Sequence, residues 1–146
     1  MDAKGRIMLP TALKKLLAEE IAEGFVLKRS VYYPCLELYP MPAWNKLMEK
    51  LGKLNRFVKK NSDFIRKFTA GVKQIEVDGT GRLLIPKNLV ATAGLQKEIV
   101  LASSQDILEV WDKEQYEEAI DTSDEDFGAT TEEMLGDDIE LPDGLS

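Results

Sequence analysis

One segment of this chain occurs twice. Asp2-Ala3-Lys4-Gly5-Arg6-Ile7-Met8-Leu9-Pro10 matches Asp78-Gly79-Thr80-Gly81-Arg82-Leu83-Leu84-Ile85-Pro86. Asp, Gly, Arg and Pro fall in register, and the same three slots hold apolar residues. The likeness continues through Leu13 and Leu89, through Phe25-Val26-Leu27 and Ile99-Val100-Leu101, and through Leu36-Glu37-Leu38-Tyr39 and Leu108-Glu109-Val110-Trp111, with Trp44 opposite Tyr116. The offset slips from 76 to 74 to 72, as it does when two copies of one unit differ only in loop length. Such a chain must fold as two similar supersecondary units. The expected organisation is a first unit over 1–52, a connector over 53–69, a second unit over 70–120 and a tail over 121–146.

Each unit reads the same way. Asp-x-x-Gly-Arg is a turn, in which the Asp side chain caps the backbone and Gly supplies a positive φ. A short apolar strand follows, and the proline stands near a helix start, where its missing N–H costs nothing. Leu13, Leu16, Leu17 and Ile21 form one face of the first helix, which Gly24 ends; the second is shorter, Lys87 to Ala93, with Gly94 as its stop. Two strands come next, Phe25–Arg29 and Cys35–Tyr39 in one copy, Glu98–Ser103 and Ile107–Trp111 in the other. A closing helix is expected at Met41–Leu51 and at Lys113–Ile120. A strand over Gly71–Val77 is expected to form a hairpin with Leu83–Ile85. Only Met1 precedes Asp2, in the slot of Val77, so the first copy lacks its opening strand. Met1 is therefore expected to be an internal methionine of a longer natural chain.

Charge is unevenly distributed. The chain carries −7, but residues 121–146 hold ten acidic side chains and no basic one, which leaves residues 1–120 at +3. A basic body with a segregated acidic tail is compatible with a polyanionic partner. Residues 44–73 are rich in Lys and Arg, most simply a solvated helix face, and Asn61 or Ser62 is placed to cap a short helix through Phe68. The tail has few large apolar residues and is expected to be disordered when alone. The absence of histidine removes Ser-His and Cys-His nucleophilic pairs and histidine-bound zinc. No phosphate loop or metal cluster is visible, so neither an enzyme nor a cofactor is expected. Cys35 has no internal disulfide partner, which fits a reducing cytoplasm. No run is long enough to span a membrane. Trp44, Tyr116, Trp111 and Tyr39 read as core or subunit-interface residues.

The paired Asp-x-x-x-Arg turns, each followed by three apolar residues and Pro, resemble the MraZ family within the AbrB-like, swapped-hairpin DNA-binding superfamily. The likeness covers about residues 2–120, including Leu36–Trp44 and Ala93-Gly94-Leu95. It implies an α+β fold in which two tandem β-α-β-β units build one pseudo-dimeric barrel. It also implies a homo-oligomeric ring whose turns line a basic rim, meeting short G-rich direct repeats in double-stranded DNA. Those repeats would lie upstream of the division and cell-wall gene cluster, placing the protein in the cytoplasm on the nucleoid.

A hairpin tip that enters the major groove can pair one arginine with O6 and N7 of guanine. Arg6 and Arg82 are the candidates for that contact. Asp2 and Asp78 have the wrong sign to face DNA and are expected to close the turns, with Gly5, Gly79 and Gly81, and to orient the arginines. Lys4 stands at the first tip, opposite Thr80 at the second. Lys14, Lys15 and Lys87 are expected to touch phosphates. One rival is an antitoxin-type regulator whose tail, through Phe127, Met134, Leu135, Ile139 and Leu141, wraps a toxin; two fused units argue against it. Another is a structural ring scaffold.

Overall fold

A computed structural model of the chain describes residues 1–16, 18–121 and 124–136. They fall into two compact units, Met1–Lys113 and a second that begins at Glu114. In chain order the first unit holds β1 (Arg6–Met8), α1 (Thr11–Leu16), α2 (Ala18–Ile21), β2 (Phe25–Arg29), β3 (Leu36–Pro40), α3 (Met41–Gly52) and α4 (Lys59–Thr69). It continues with β4 (Lys73–Ile75), β5 (Arg82–Leu84), α5 (Lys87–Ala93), β6 (Ile99–Ser104) and β7 (Ile107–Asp112). The fold is mixed α+β, as the sequence predicts.

Two antiparallel sheets form. β1 pairs with β5, with Arg6 opposite Leu84, Ile7 opposite Leu83 and Met8 opposite Arg82. Ile7 and Leu83 hold equivalent places in the two repeats, so a local two-fold axis passes between them. The larger sheet has the order β4-β2-β3-β7-β6. Its central pair sets Glu37 opposite Glu109, again two equivalent residues. At these two strand pairs the sequence repeat is a local two-fold symmetry of the backbone.

Alternation along the strands decides what each face buries. Ile7, Leu9, Leu83 and Ile85 from the ribbon segments meet Phe25, Leu27, Leu36, Leu38, Leu108 and Val110 from the sheet, with Leu89, Ala93 and Leu95 closing the cluster. Burying each large apolar side chain contributes about 1.5–3 kcal/mol. The other sheet face carries Val26 and Tyr39, covered by Trp44 of α3 and by Phe68 of α4. Because β2 is covered on both faces, it reads as the unbroken apolar run Phe25-Val26-Leu27.

Several expectations are corrected. Only one bridge, Val77 with Leu83, joins the segment before Asp78 to the strand after it. β4 instead lies against β2 of the other repeat, with Phe25 opposite Ile75, because β2 offers three ladder pairs and the tight turn leaves one. The equivalent outer edge of β6 has no strand among the described residues. Met1 packs against the core as Val77 does, and its ammonium donates to the Lys97 carbonyl at 2.7 Å. The first helix is two pieces, α1 and α2. Leu13 and Ile21 pack on the core, whereas the side chains of Leu16 and Leu17 lie outside the described residues. α4 starts at Lys59 without a side-chain cap; Asn61 donates instead to the Asn55 carbonyl.

α6 (Lys113–Ile120) starts at the last residue of the first unit and runs on in the second, where α7 (Asp124–Leu135) follows although disorder was expected. Glu125 and Asp126 stand in its first turn, where the helix dipole favours anions. Gly136, at φ 77°, closes its end with an N–H donated to the Glu132 carbonyl. The rest of the expected tail, with Ile139 and Leu141, lies outside the described residues.

Candidate nucleic-acid interface

The two turns are built by the same hydrogen bonds. Asp2 Oδ1 accepts from the backbone N–H groups of Lys4 and Arg6 at 3.0 and 2.9 Å, and Arg6 Nε donates to Asp2 Oδ2 at 2.7 Å. In the second turn, Asp78 Oδ1 accepts from the N–H groups of Thr80 and Arg82, each at 2.9 Å. Arg82 Nε donates to Asp78 Oδ2 at 3.0 Å. These Asx turns draw the tip closed before any partner arrives. The Arg6 N–H, the Arg6 guanidinium and the Lys4 N–H hold the Asp2 carboxyl below its ordinary range. Asp78 is held well below the usual carboxylate range, chiefly by the Arg82 N–H, with both donors of Thr80 adding to it.

Each arginine is therefore oriented through Nε alone. Among the described residues no acceptor meets either Nη of Arg6 or Arg82, and both side chains are 30% exposed. The guanidinium forks are free for an outside acceptor while their stems are fixed. Among exposed ion pairs such contacts add little stability; their consequence here is direction.

Glycine is required at two of the three expected positions. Gly5 and Gly81 have φ of 83° and 84°, a region that costs L-residues about 1–2 kcal/mol. A Cβ on Gly5 would stand 3.1 Å from the Ile85 carbonyl oxygen. The two turns also lock onto each other's strands, with Ile85 N–H on Gly5 O at 2.9 Å and Leu9 N–H on Gly81 O at 3.1 Å. Gly79 is different: its φ is not positive and open space surrounds it. Ala3 fills the same slot in the first turn, so Gly79 is not needed for the turn.

The lysines divide unequally. Lys4 is exposed at the first tip. Lys14, from α1 of the first repeat, lies across Gly81 of the second turn, where a Cβ would collide with its Cε and Nζ. Val90, the equivalent of Lys14, sits beside Gly5. Each tip thus has one arginine and one lysine, although Thr80 replaces Lys4. Lys15 and Lys87 are exposed, on α1 and at the start of α5; neither forms an ion pair with a turn aspartate among the described residues.

Sequence reasoning missed the surface between the tips. β1 and β5 bury Ile7 and Leu83 and turn Met8 and Leu84 outward, 53% and 57% exposed. With register pairs Arg6–Leu84 and Met8–Arg82, the outer face of the ribbon is a two-fold patch of two guanidinium stems and two apolar side chains. The signal was present as strand alternation in both copies. Among the described residues no three His, Cys, Asp or Glu gather as a metal site, and no helix is long and apolar enough to cross a membrane.

A family model described as "MraZ protein, putative antitoxin-like" matches twice, over residues 1–67 and 68–138. The protein named transcriptional regulator MraZ of Christiangramia forsetii is 59% identical over 138 residues, 94% of this chain and 89% of that protein. Its namesake in Flavobacterium psychrophilum is 60% identical over 136 residues, covering 93% and 87% of the two chains. That of Phocaeicola vulgatus is 38% identical over 136 residues, covering 92% and 88%.

Proposed function

The chain belongs to the MraZ family, and from that premise we propose that it is a DNA-binding transcriptional regulator and not an enzyme. One observation carries the reading. Two equivalent turns each hold an arginine by Nε to an aspartate and leave its Nη groups unengaged, on a ribbon whose outer face is open. A two-stranded ribbon fits the major groove, and the fork matches guanine O6 and N7.

Arg6 and Arg82 read bases in this proposal, Asp2 and Asp78 aim them, and Lys4, Lys14, Lys15 and Lys87 neutralise phosphates. The two AbrB-like units, over 1–52 and 70–120 with the connector 53–69 between them, form one swapped-hairpin pseudo-dimeric barrel. The crossing of β4 onto β2 and the pairing of β1 with β5 support that topology. A single barrel neutralises few phosphates and binds weakly. A ring presents many turns to tandem G-rich repeats at high effective concentration. The family resemblance points to repeats upstream of the division and cell-wall cluster, hence to the cytoplasm and the nucleoid.

A mobility-shift assay on DNA upstream of the chain's own gene tests this. Tandem boxes should bind far more tightly than one box, and Arg6→Ala with Arg82→Ala should abolish the shift. Equal affinity for one box and an array rejects the ring; full binding by the double variant rejects the turns. The antitoxin reading has one observation in its favour: Phe127, Met134 and Leu135 are exposed on α7. Co-purification of a small toxin would support it.

A further inference from the structure

The loop between α3 and α4 carries a side chain that nothing among the described residues covers. Phe57 is 99% exposed, and Arg56 beside it has no ion-pair partner among the described residues. The loop is not slack. Asn55 Oδ1 accepts the Phe57 N–H at 2.9 Å, and the Asn55 carbonyl accepts from Val58 N–H and Asn61 Nδ2 at 3.2 and 3.1 Å. A phenyl ring and a guanidinium are thus held out as a preformed knob.

The sheet face under α4 carries a matching cavity of about 230 Å³, walled by Tyr33, Tyr39, Phe64 and Phe68 and floored by Glu37 and Glu109. The two carboxylates face each other across β3 and β7. Glu37 is served by the fully buried Lys28, whose Nζ lies 3.1 Å from Oε1 and 4.4 Å from the Phe68 ring centroid. The repeat puts Ala102 where Lys28 stands. Glu109 consequently has only Trp111 Nε1, at 3.2 Å, and no cation within ion-pair distance among the described residues. Two carboxylates against one ammonium leave the cavity one negative charge, inside aromatic walls whose π faces attract cations.

We propose that this cavity receives the Arg56–Phe57 knob of a second copy of the chain, the guanidinium going to Glu109 and the phenyl to Tyr33 and Phe64. The knob precedes α4 and the cavity is walled by its later turns, so knob and cavity are different patches of one surface. Such a contact is heterologous: it propagates head to tail and closes into a ring when the rotation allows. This deepens the ring reading above and rests on it for closure. Arginine and aromatic residues seated in pockets are the usual anchors of such interfaces.

The test uses the full chain in sedimentation velocity with three proteins. These are the unaltered chain, a knob variant Arg56→Ala/Phe57→Ala, and a cavity variant Tyr33→Ala/Glu109→Gln, in which Gln keeps an acceptor for Trp111. The unaltered chain should assemble, and each variant alone should be at least tenfold weaker in self-association. An equimolar mixture should form a 1:1 species and nothing larger, because each partner retains one half of the contact. Thermal melting should match the unaltered chain; if the cavity variant melts early, Phe57→Ala carries the test alone, since that side chain is 99% exposed. Variants that assemble like the parent overturn this interface and leave the ring standing. Well-folded variants that form no 1:1 species also overturn it, and a monomeric parent overturns both readings.

Discussion

Replacing Arg82 by alanine tests whether the turns read DNA. The Nε bond to Asp78 at 3.0 Å fixes the guanidinium plane, so in the proposed contact the two Nη groups have little entropy left to lose on meeting a base edge. A bidentate contact to guanine contributes about 1–3 kcal/mol of discrimination, which is about 5- to 150-fold in the ratio of matched to mismatched affinity. Where two subunits of a ring engage, two such contacts vanish and the loss is about 2–6 kcal/mol. Fluorescence anisotropy with one box, its G→A mismatch and a tandem pair, over a salt series, separates the roles. A base reader loses the matched-to-mismatched ratio, whereas a phosphate contact weakens both duplexes alike and lowers the salt slope by about 0.9 per contact. Arg82→Lys should restore much of the affinity but not the discrimination, because an ammonium cannot fork. Arg82→Ala that binds the matched box within twofold of the parent would falsify the assignment.

Three other perturbations are decided by the same geometry. Gly5→Ala forces φ 83° on a residue with a Cβ, 3.1 Å from the Ile85 carbonyl; it should cost about 1–2 kcal/mol or more and lower Tm by several degrees. Gly79→Ala should stay within about 0.5 kcal/mol, and a scanning calorimeter that finds the two equal refutes the distinction. The Asp78 carboxylate is held below its unfolded range, so its stabilisation is complete above the ordinary aspartate value of about 3.9 and disappears as pH falls through the depressed native one. Asp78→Asn should flatten the acid limb of stability between about pH 4 and 2, read by urea titration at each pH; an unchanged limb refutes this. Deleting residues 121–146 removes ten carboxylates and should tighten nonspecific DNA binding at low salt, while unchanged binding assigns the segment no screening role.

The parts legible in the sequence were those written twice. Asp-x-x-Gly-Arg fixed both turns because its chemistry is local: a capping carboxylate, a positive φ and an arginine four residues on. Lys87–Ala93 and Lys113–Ile120 were readable as helices because proline, glycine and charge punctuate them. The crossing of β4 to β2 was not readable, since Gly71–Val77 suits either partner and ladder length decides. Nor was the contact of Lys14 with Gly81, 67 positions on in the chain, since nothing in the pattern of α1 indicates which turn it covers. The exposed pair Met8 and Leu84 was hidden because three consecutive apolar residues look like core until pairing assigns the faces.

Symmetry also explains why the two tips differ in sequence and yet carry similar charge. Each turn's glycine carbonyl accepts an N–H from the other repeat, just past its short strand, so the tips cannot move independently. The helix after one turn reaches the tip of the other, and a lysine there substitutes for one missing at the tip itself. Lys14 over Gly81 replaces what Thr80 lacks, while Val90 beside Gly5 adds no charge where Lys4 already stands. Selection acting on two copies in one chain can distribute a charge between them in this way, which an assembly of two identical chains cannot. The same freedom gives one half of the larger sheet a buried Lys28 against Glu37 and leaves Glu109, among the described residues, with an indole donor and no cation. An internally duplicated fold can thus keep equivalent turns for one partner and dissimilar faces for another.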